Sequence, residues 1–271
     1  MTVKIDLTPP VIVPNITGTA GANGWYTGNV AVAWTTTDPE SGIASSAGCA
    51  TQAVTASTTL TCSAANGAGR LTAAPVTIKV DSTPPVITPV LTGTLGANGW
   101  YTSNVTVSWT TTDPESGIAT STGCGTQTLT TGLSLTCSAN NGAGLTNSAP
   151  VTVKIDKSGP AIAGMPGAAC SLWPPNHKLV QVATVSASDV GSGIAPGTFT
   201  VTGISNEPAN PGELDIVITA NGSGAFVVQL RAERLGTGTG RTYTLTGTAK
   251  DLAGNTVTLT SSCRVPHDQG Q

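Results

Sequence analysis

Acidic and amide side chains recur at matching places in three successive stretches of this chain, and oxygen donors spaced in this way suit a cation. The first stretch holds Asp6, Asp38, Glu40 and Asn66, the second Asp81, Asp113, Glu115 and Asn141, and the third Asp156, Asp189 and Asp251. Oxygen-only ligands carried on loops fit Ca²⁺, which takes roughly six to eight of them. Calcium is therefore the expected metal, and no other cofactor is implied. Only 9% of the residues are charged, so acid concentrated in a few loops stands out. The competing reading is local: Asp38 and Asp113 each precede Pro-Glu-Ser-Gly, where aspartate accepts backbone hydrogen bonds and caps a turn. No glutamate follows Asp189 at the matching position, which makes the third set the poorest match.

Other residue sets offer less chemistry. Glu207, Glu213 and Asp215 lie near Arg231, Glu233, Arg234 and Arg241 in the chain. Paired carboxylates can hydrolyse glycosides, but arginines among them read as ion pairs bracing neighbouring strands. The two histidines, His177 and His267, fall in different motifs, and no Gly-x-Ser-x-Gly turn offers a nucleophile. His267-Asp268 reads as an end cap. Gly236-Thr-Gly-Thr-Gly240 is no phosphate loop, because a hairpin rather than a helix should follow it. No enzyme is expected. Trp25-Tyr26 and Trp100-Tyr101 each follow a Gly-rich turn; exposed, such a pair would stack on a sugar ring, and otherwise it covers the open end of a small core.

The six cysteines fall two to a stretch: Cys49 and Cys62, Cys124 and Cys137, Cys170 and Cys263. An even count that repeats with the unit reads as one disulfide per domain, and disulfides persist outside the cytoplasm. Metal-binding thiols would need clustered Cys-x-x-Cys or Cys/His spacing, which is absent. In the chain-entropy picture each short loop contributes about 3 kcal/mol and the long one about 4–5 kcal/mol. That matters for domains whose aromatic content is only 4%.

These residues are positioned by a tandem repeat. Asp6-Leu-Thr-Pro-Pro returns as Asp81-Ser-Thr-Pro-Pro, Gly24-Trp-Tyr-Thr27 as Gly99-Trp-Tyr-Thr102, and Thr37 to Ile43 unchanged at Thr112 to Ile118. The offset stays constant without insertion, and about two-thirds of paired positions are identical. A longer, divergent stretch follows. Runs such as Asn29–Trp34, Ser57–Cys62 and Pro75–Val80 alternate apolar with polar residues between turn-forming segments, the pattern of antiparallel strands with one buried face. Trp34 and Trp109 belong to such runs and are expected in the core. The expected architecture is all-β, with three tandem antiparallel β-sandwiches forming an elongated rod. Its parts are an orphan final strand over 1–6, repeats over 7–80 and 81–156, and a third domain over 157–271. Met1–Asp6 matches Val151–Asp156, which suggests a fragment of a longer array whose first strand would pair with another copy. Prolines at the boundaries predict short, stiff links.

Asp-x-Thr-Pro-Pro, Asn-Gly-Trp-Tyr-Thr, Thr-Asp-x-x-Ser-Gly-Ile and Ala-x-Asn-x-Ala-Gly occur in that order in both copies. Together they resemble bacterial Ig-like repeats and are similar to the hyalin-repeat modules of extracellular proteins. The third stretch resembles a divergent Ig-like module of bacterial surface proteins. The residues that carry this are Leu172–Lys178, Ser205–Pro208, Arg231–Arg234, Gly236–Tyr243 and Val265–Gln269. The resemblance implies an Ig-like fold and an extracellular spacer or adhesin context, and it transfers no catalytic residue.

Two functions follow as expectations. One is a non-catalytic structural or adhesive rod or fibre segment, secreted or on the cell surface, stiffened by disulfides, Pro-Pro links and inter-domain calcium. The other is a glycan-binding accessory module of a secreted hydrolase. Partners would be other surface proteins, extracellular glycan or further copies of the chain. A net charge of −3 gives no footprint for nucleic acid, and no apolar run is long enough to insert in a membrane.

Overall fold

Alternating burial organises the chain from its first hairpin. The structure is a computed structural model that describes residues 4–268, and every regular element among them is a β-strand. Lys4–Pro10 carry no strand; the expected orphan strand over 1–6 begins with residues 1–3, which lie outside the described residues, as does Gln269. Strands β1 (Val11–Ala20) and β2 (Trp25–Thr37) pair antiparallel around the turn Ala22–Trp25. Asn23 (φ 49°) and Gly24 (φ 73°) make this a primed turn, whose twist matches that of the strands it joins.

The remaining strands of the first copy are β3 (Ile43–Ala47), β4 (Gln52–Val54), β5 (Thr58–Asn66) and β6 (Leu71–Val80). β4 lies beside β2, and β5 bonds to both β3 and β6. The start of β2 crosses to β6 in parallel, with Trp25 opposite Lys79 and Tyr26 opposite Val80. Val30, Val32, Val54, Ile78 and Val80 meet between the layers as a small core, with Ile16, Tyr26, Trp34 and Leu60 packed against it. Trp34 and Trp109 are half-buried rather than central.

The second copy repeats the plan as β7 (Val86–Thr92), β8 (Trp100–Tyr101), β9 (Val105–Thr112), β10 (Ile118–Thr122), β11 (Gln127–Leu129), β12 (Leu133–Asn141) and β13 (Thr146–Ile155). Its strands run β10-β12-β13-β8 and β11-β9-β7. The third stretch adds β14 (Ala161–Ala163), β15 (Leu179–Ser188), β16 (Thr200–Ser205), β17 (Ile216–Ala220), β18 (Phe226–Arg231), β19 (Gly240–Lys250) and β20 (Thr256–Pro266). These form the sheets β14-β15-β18-β17 and β16-β19-β20. Val185, Val228, Leu230, Tyr243, Leu245 and Val265 fill the space between them. The Gly236–Gly240 turn leads into the β19–β20 hairpin, as expected of a non-phosphate loop.

All six cysteines are paired as the sequence suggests, Cys49–Cys62, Cys124–Cys137 and Cys170–Cys263. The chain divides into two compact units. One comprises Met1–Leu91, Val107–Gln127 and Ser134–Val151, and the other Thr92–Thr106, Thr128–Leu133 and Thr152–Gln271. The second copy thus contributes to both, and each acidic cluster lies wholly inside one unit.

Candidate functional site

The first acidic set does assemble, around an amide. Asn66 ends β5, and its side-chain nitrogen donates to Asp6 Oδ2 (2.8 Å), Asp38 Oδ2 (3.0 Å) and the Thr8 carbonyl (2.9 Å). Its oxygen accepts the backbone N–H of Ala68 and Arg70, which holds the following loop closed. Asp38 Oδ1 accepts the N–H groups of Glu40, Ser41 and Gly42, as a turn cap does. Ser41 Oγ donates to Asp6 Oδ2, and Thr8 Oγ1 to Glu40 Oε2 at 3.1 Å.

The second copy reproduces the arrangement. Asn141 Nδ2 bridges Asp81 Oδ2 (2.8 Å), Asp113 Oδ2 (3.0 Å) and the Thr83 carbonyl (2.9 Å), while Thr83 Oγ1 donates to Glu115. In both copies an NH₂ group bridges two carboxylates, and in the second Asp81, Asp113 and Glu115 also bring one oxygen each within 4.8 Å of one another. The amide's partial positive charge and its hydrogens serve the electrostatic end that a cation would.

The third set differs at that point. Asp251 stands where Asn66 and Asn141 stand, so a third carboxylate replaces the bridging amide. One carboxylate oxygen each from Asp156, Asp189 and Asp251 lie within 4.8 Å of one another. Asp156 is 4% and Asp251 1% exposed. Asp156 accepts the N–H groups of Ser192 and Ser158, and Asp251 those of Gly254 and Asn255. Asn255 Nδ2 donates to Asp251 Oδ2 and to the carbonyls of Asp156 and Ser158, so it meets one carboxylate of the three. Gly191 occupies the position of the missing glutamate, and a Cβ there would collide with the Asp156 carboxylate. No lysine or arginine pairs with these three acids among the described residues.

Four of these aspartates sit below the ordinary aspartate pKa. The Ser41 hydroxyl is the main cause for Asp6, and the Ser41 N–H for Asp38. For Asp113 and Asp156 burial pushes upward, and hydrogen bonds from Asn141 and Ser116, or from Ser192 and Ser158, outweigh it. A carboxyl whose folded pKa is depressed contributes stability fully above its unfolded value, near 3.9, and loses it as pH falls through the folded value. The urea midpoint should therefore stay level from about pH 7 to pH 5 and drop steeply below about pH 4. A midpoint that declines across pH 7 to 5 instead would mean these carboxylates are not held in this way.

Beside each of the last two clusters the same loop makes a joint. The Ala22 N–H donates to the Ala143 carbonyl (2.8 Å) and Asn23 Nδ2 to the Gly142 carbonyl (2.9 Å). One copy further on, Ala97 N–H donates to the Ala253 carbonyl (2.7 Å) and Asn98 Nδ2 to the Leu252 carbonyl (2.9 Å). The primed turn of each repeat thus seats on the loop that the next cluster braces. A Cβ on Gly21 would sit 2.6 Å from the Ala143 oxygen, and one on Gly96 would strike the Ala253 oxygen, so glycine is required for the approach. The sequence marks the Gly-rich turns before Trp25 and Trp100, but nothing in it says which loops those turns meet.

The tryptophan–tyrosine pairs anchor the links. Asp81 N–H donates to the Tyr26 carbonyl and Asp156 N–H to the Tyr101 carbonyl, each at 2.9 Å. Trp25 and Trp100 are half-buried, with the ammonium groups of Lys79 and Lys154 over their rings at 5.7 and 5.3 Å. One face of each ring is already used.

In the third stretch, Arg241 is fully buried and bonds to Asp215, to Glu207 (3.2 Å), to the Pro208 carbonyl and to the Tyr243 hydroxyl. Arg234 instead binds the Pro266 and His267 carbonyls, and His267 Nδ1 faces Asp268 at 2.9 Å. The bracing network exists, carried by Arg241 together with Arg231, which lies 3.6 Å from Asp215 and 3.8 Å from Glu213, whereas Arg234 stands outside it.

No known family matches this sequence, and no curated protein does. Among solved structures the chain is similar to an I-band fragment of titin, I67–I69, at 13% identity over 95% of this chain and 99% of that one, with a TM-score of 0.43. It is similar to the first four cadherin domains of protocadherin gamma B7 at 14% identity and TM-score 0.36, spanning 57% of that chain and 78% of this one. The N-terminal eight Ig domains of Down syndrome cell adhesion molecule give 14% identity and TM-score 0.38, over 94% of this chain and 34% of that one.

Proposed function

We propose that this chain is a non-catalytic structural or adhesive segment of a secreted or cell-surface bacterial protein, built from modules at 7–80, 81–156 and 157–271. The observation that carries this is the duplicated joint. A turn rich in glycine and a receiving loop meet twice through the same pair of hydrogen bonds, at 22–23 with 142–143 and at 97–98 with 252–253. Seating of this kind suits a spacer, because it replaces a flexible tether with a fixed contact. The Asn66–Gly69 loop has the same build as its counterpart at Asn141–Gly144, and it fits the corresponding turn of a further copy as partner.

Calcium belongs, in this reading, to the third cluster. Asp156, Asp189 and Asp251 would hold it, since three converging carboxylates without an amide between them present hard oxygen donors whose charge no lysine or arginine offsets among the described residues. The ion would supply charge neutralisation and stiffen the loop that receives the Ala97–Asn98 turn.

Native-state hydrogen exchange tests the spacer reading. The Ala22 and Ala97 amides should exchange at least about a hundredfold more slowly than exposed turn amides, and Asn23→Ala should accelerate Ala22 while leaving Ala97 unchanged. Exchange at both positions as fast as in the Gly222–Gly224 turn would sink the proposal.

A further inference from the structure

We propose that His177, Glu213 and Glu233 form a binding site for a single zinc-class divalent metal ion, independent of the acidic joint clusters. One potential ligand atom from each of the three lies within 4.8 Å of the other two. His177 Nδ1 and Glu233 Oε2 are 3.5 Å apart, the separation expected of two ligands on one tetrahedral zinc ion.

The second observation is the state of Glu233. Its side chain is 4% exposed, and Oε2 is buried with no hydrogen-bond partner, while Oε1 accepts from Asn210 Nδ2. The oxygen without a partner is the one that faces the imidazole. A buried carboxylate oxygen left unmatched calls for a cation.

The frame around the site is fixed. His177 has a left-handed backbone (φ 59°), its N–H donates to the Ala232 carbonyl at 3.0 Å, and its carbonyl accepts from Arg231 Nη1 at 2.7 Å. These bonds tie the imidazole to the segment that carries Glu233. Glu213, with 39% of its side chain exposed, is the adjustable member, and its Oε1 lies 3.8 Å from Arg231 Nη1. Arg231 also bonds to the Leu214 carbonyl and lies 3.6 Å from Asp215 Oδ1, so it keeps partners when Glu213 turns to the metal. The His177 side chain is 65% exposed, which leaves the remaining coordination positions open to water. One imidazole and two carboxylates favour zinc over calcium, which prefers an all-oxygen shell.

The test uses the full oxidised chain, stripped with chelator and titrated with zinc chloride by calorimetry, with thermal unfolding in parallel. One zinc per chain with a dissociation constant of about 10 μM or tighter is the expected result, together with a rise in unfolding temperature. His177→Asn keeps a residue that tolerates the left-handed backbone, and it should weaken zinc binding at least about tenfold. Glu213→Gln, a substitution at a half-exposed position, should do the same. Asp251→Asn should leave zinc affinity unchanged. Absence of zinc binding to the wild-type chain overturns the proposal, and so does equal zinc affinity in the wild-type chain and in His177→Asn.

Discussion

Asn141→Asp is expected to destabilise the unit that contains it by about 3 kcal/mol in the presence of chelator, and added calcium should restore much of the loss. The wild-type amide donates at once to Asp81, Asp113 and the Thr83 carbonyl. Asp81 is 1% exposed, so removing those donors leaves buried carboxylate oxygens facing a new negative charge. The substitution also places three aspartates as in the third cluster, where Asp251 already holds the corresponding position, with Glu115 in addition. A second effect should follow at the joint, because the Asn141 side chain accepts the Leu145 N–H and thereby closes the loop whose carbonyls receive Ala22 and Asn23. Thermal unfolding with chelator and then with calcium reads the outcome, and a loss of this size lowers the midpoint by on the order of 10 °C. The complementary variant Asp251→Asn should remove any calcium response of the wild-type chain. If Asn141→Asp melts like the wild type in chelator, the amide is not the bridge described here. If it melts low and calcium changes nothing, three carboxylates in this frame do not make a calcium site.

Arg241→Met should cost the unit that contains it about 3–5 kcal/mol, the largest effect of any single substitution considered. The guanidinium is fully buried, and it pairs with Asp215 and Glu207, whose side chains are 6% and 9% exposed. Burial by itself pushes its pKa down; the Tyr243 hydroxyl and the carboxylates of Glu207 and Asp215 outweigh this and hold it above the usual arginine value. Tyr243 continues the chain of bonds to the Arg231 carbonyl at 2.8 Å. Methionine matches much of the stem but leaves Glu207 without its cation and Asp215 with only Arg231, 3.6 Å away. A double-mutant cycle separates that penalty from lost packing: adding Asp215→Leu to Arg241→Met should recover part of the stability, since a buried ion pair replaced by apolar groups is often neutral. Equal or additive losses in the double variant would assign the effect to packing alone.

Much of this protein was legible in its sequence, and for a definable reason. Period-two alternation in runs such as Asn29–Trp34 reports directly which face of a strand is buried, so the all-β fold follows from local pattern. Cysteines that repeat with the module pair within it, as Cys49–Cys62 and Cys124–Cys137 do. The acidic positions also came together as spacing suggested, because copies of one unit place equivalent loops at equivalent ends. What those groups do to one another was decided only by the tertiary structure. Whether Asn66 turns its oxygen or its nitrogen toward Asp6 and Asp38 depends on the backbone N–H of Arg70, which claims the oxygen at 2.8 Å. Seating of the Gly21–Gly24 turn on Gly142 and Ala143 joins segments more than a hundred residues apart, and neither carries a complementary pattern in its own residues. The burial of Arg241 beside Asp215 likewise arises where two sheets close, whereas the sequence shows only charges at neighbouring numbers. Periodicity is a property of one strand and is written along the chain; hydrogen-bond direction and charge compensation belong to pairs of groups, and only the folded geometry brings those pairs into being.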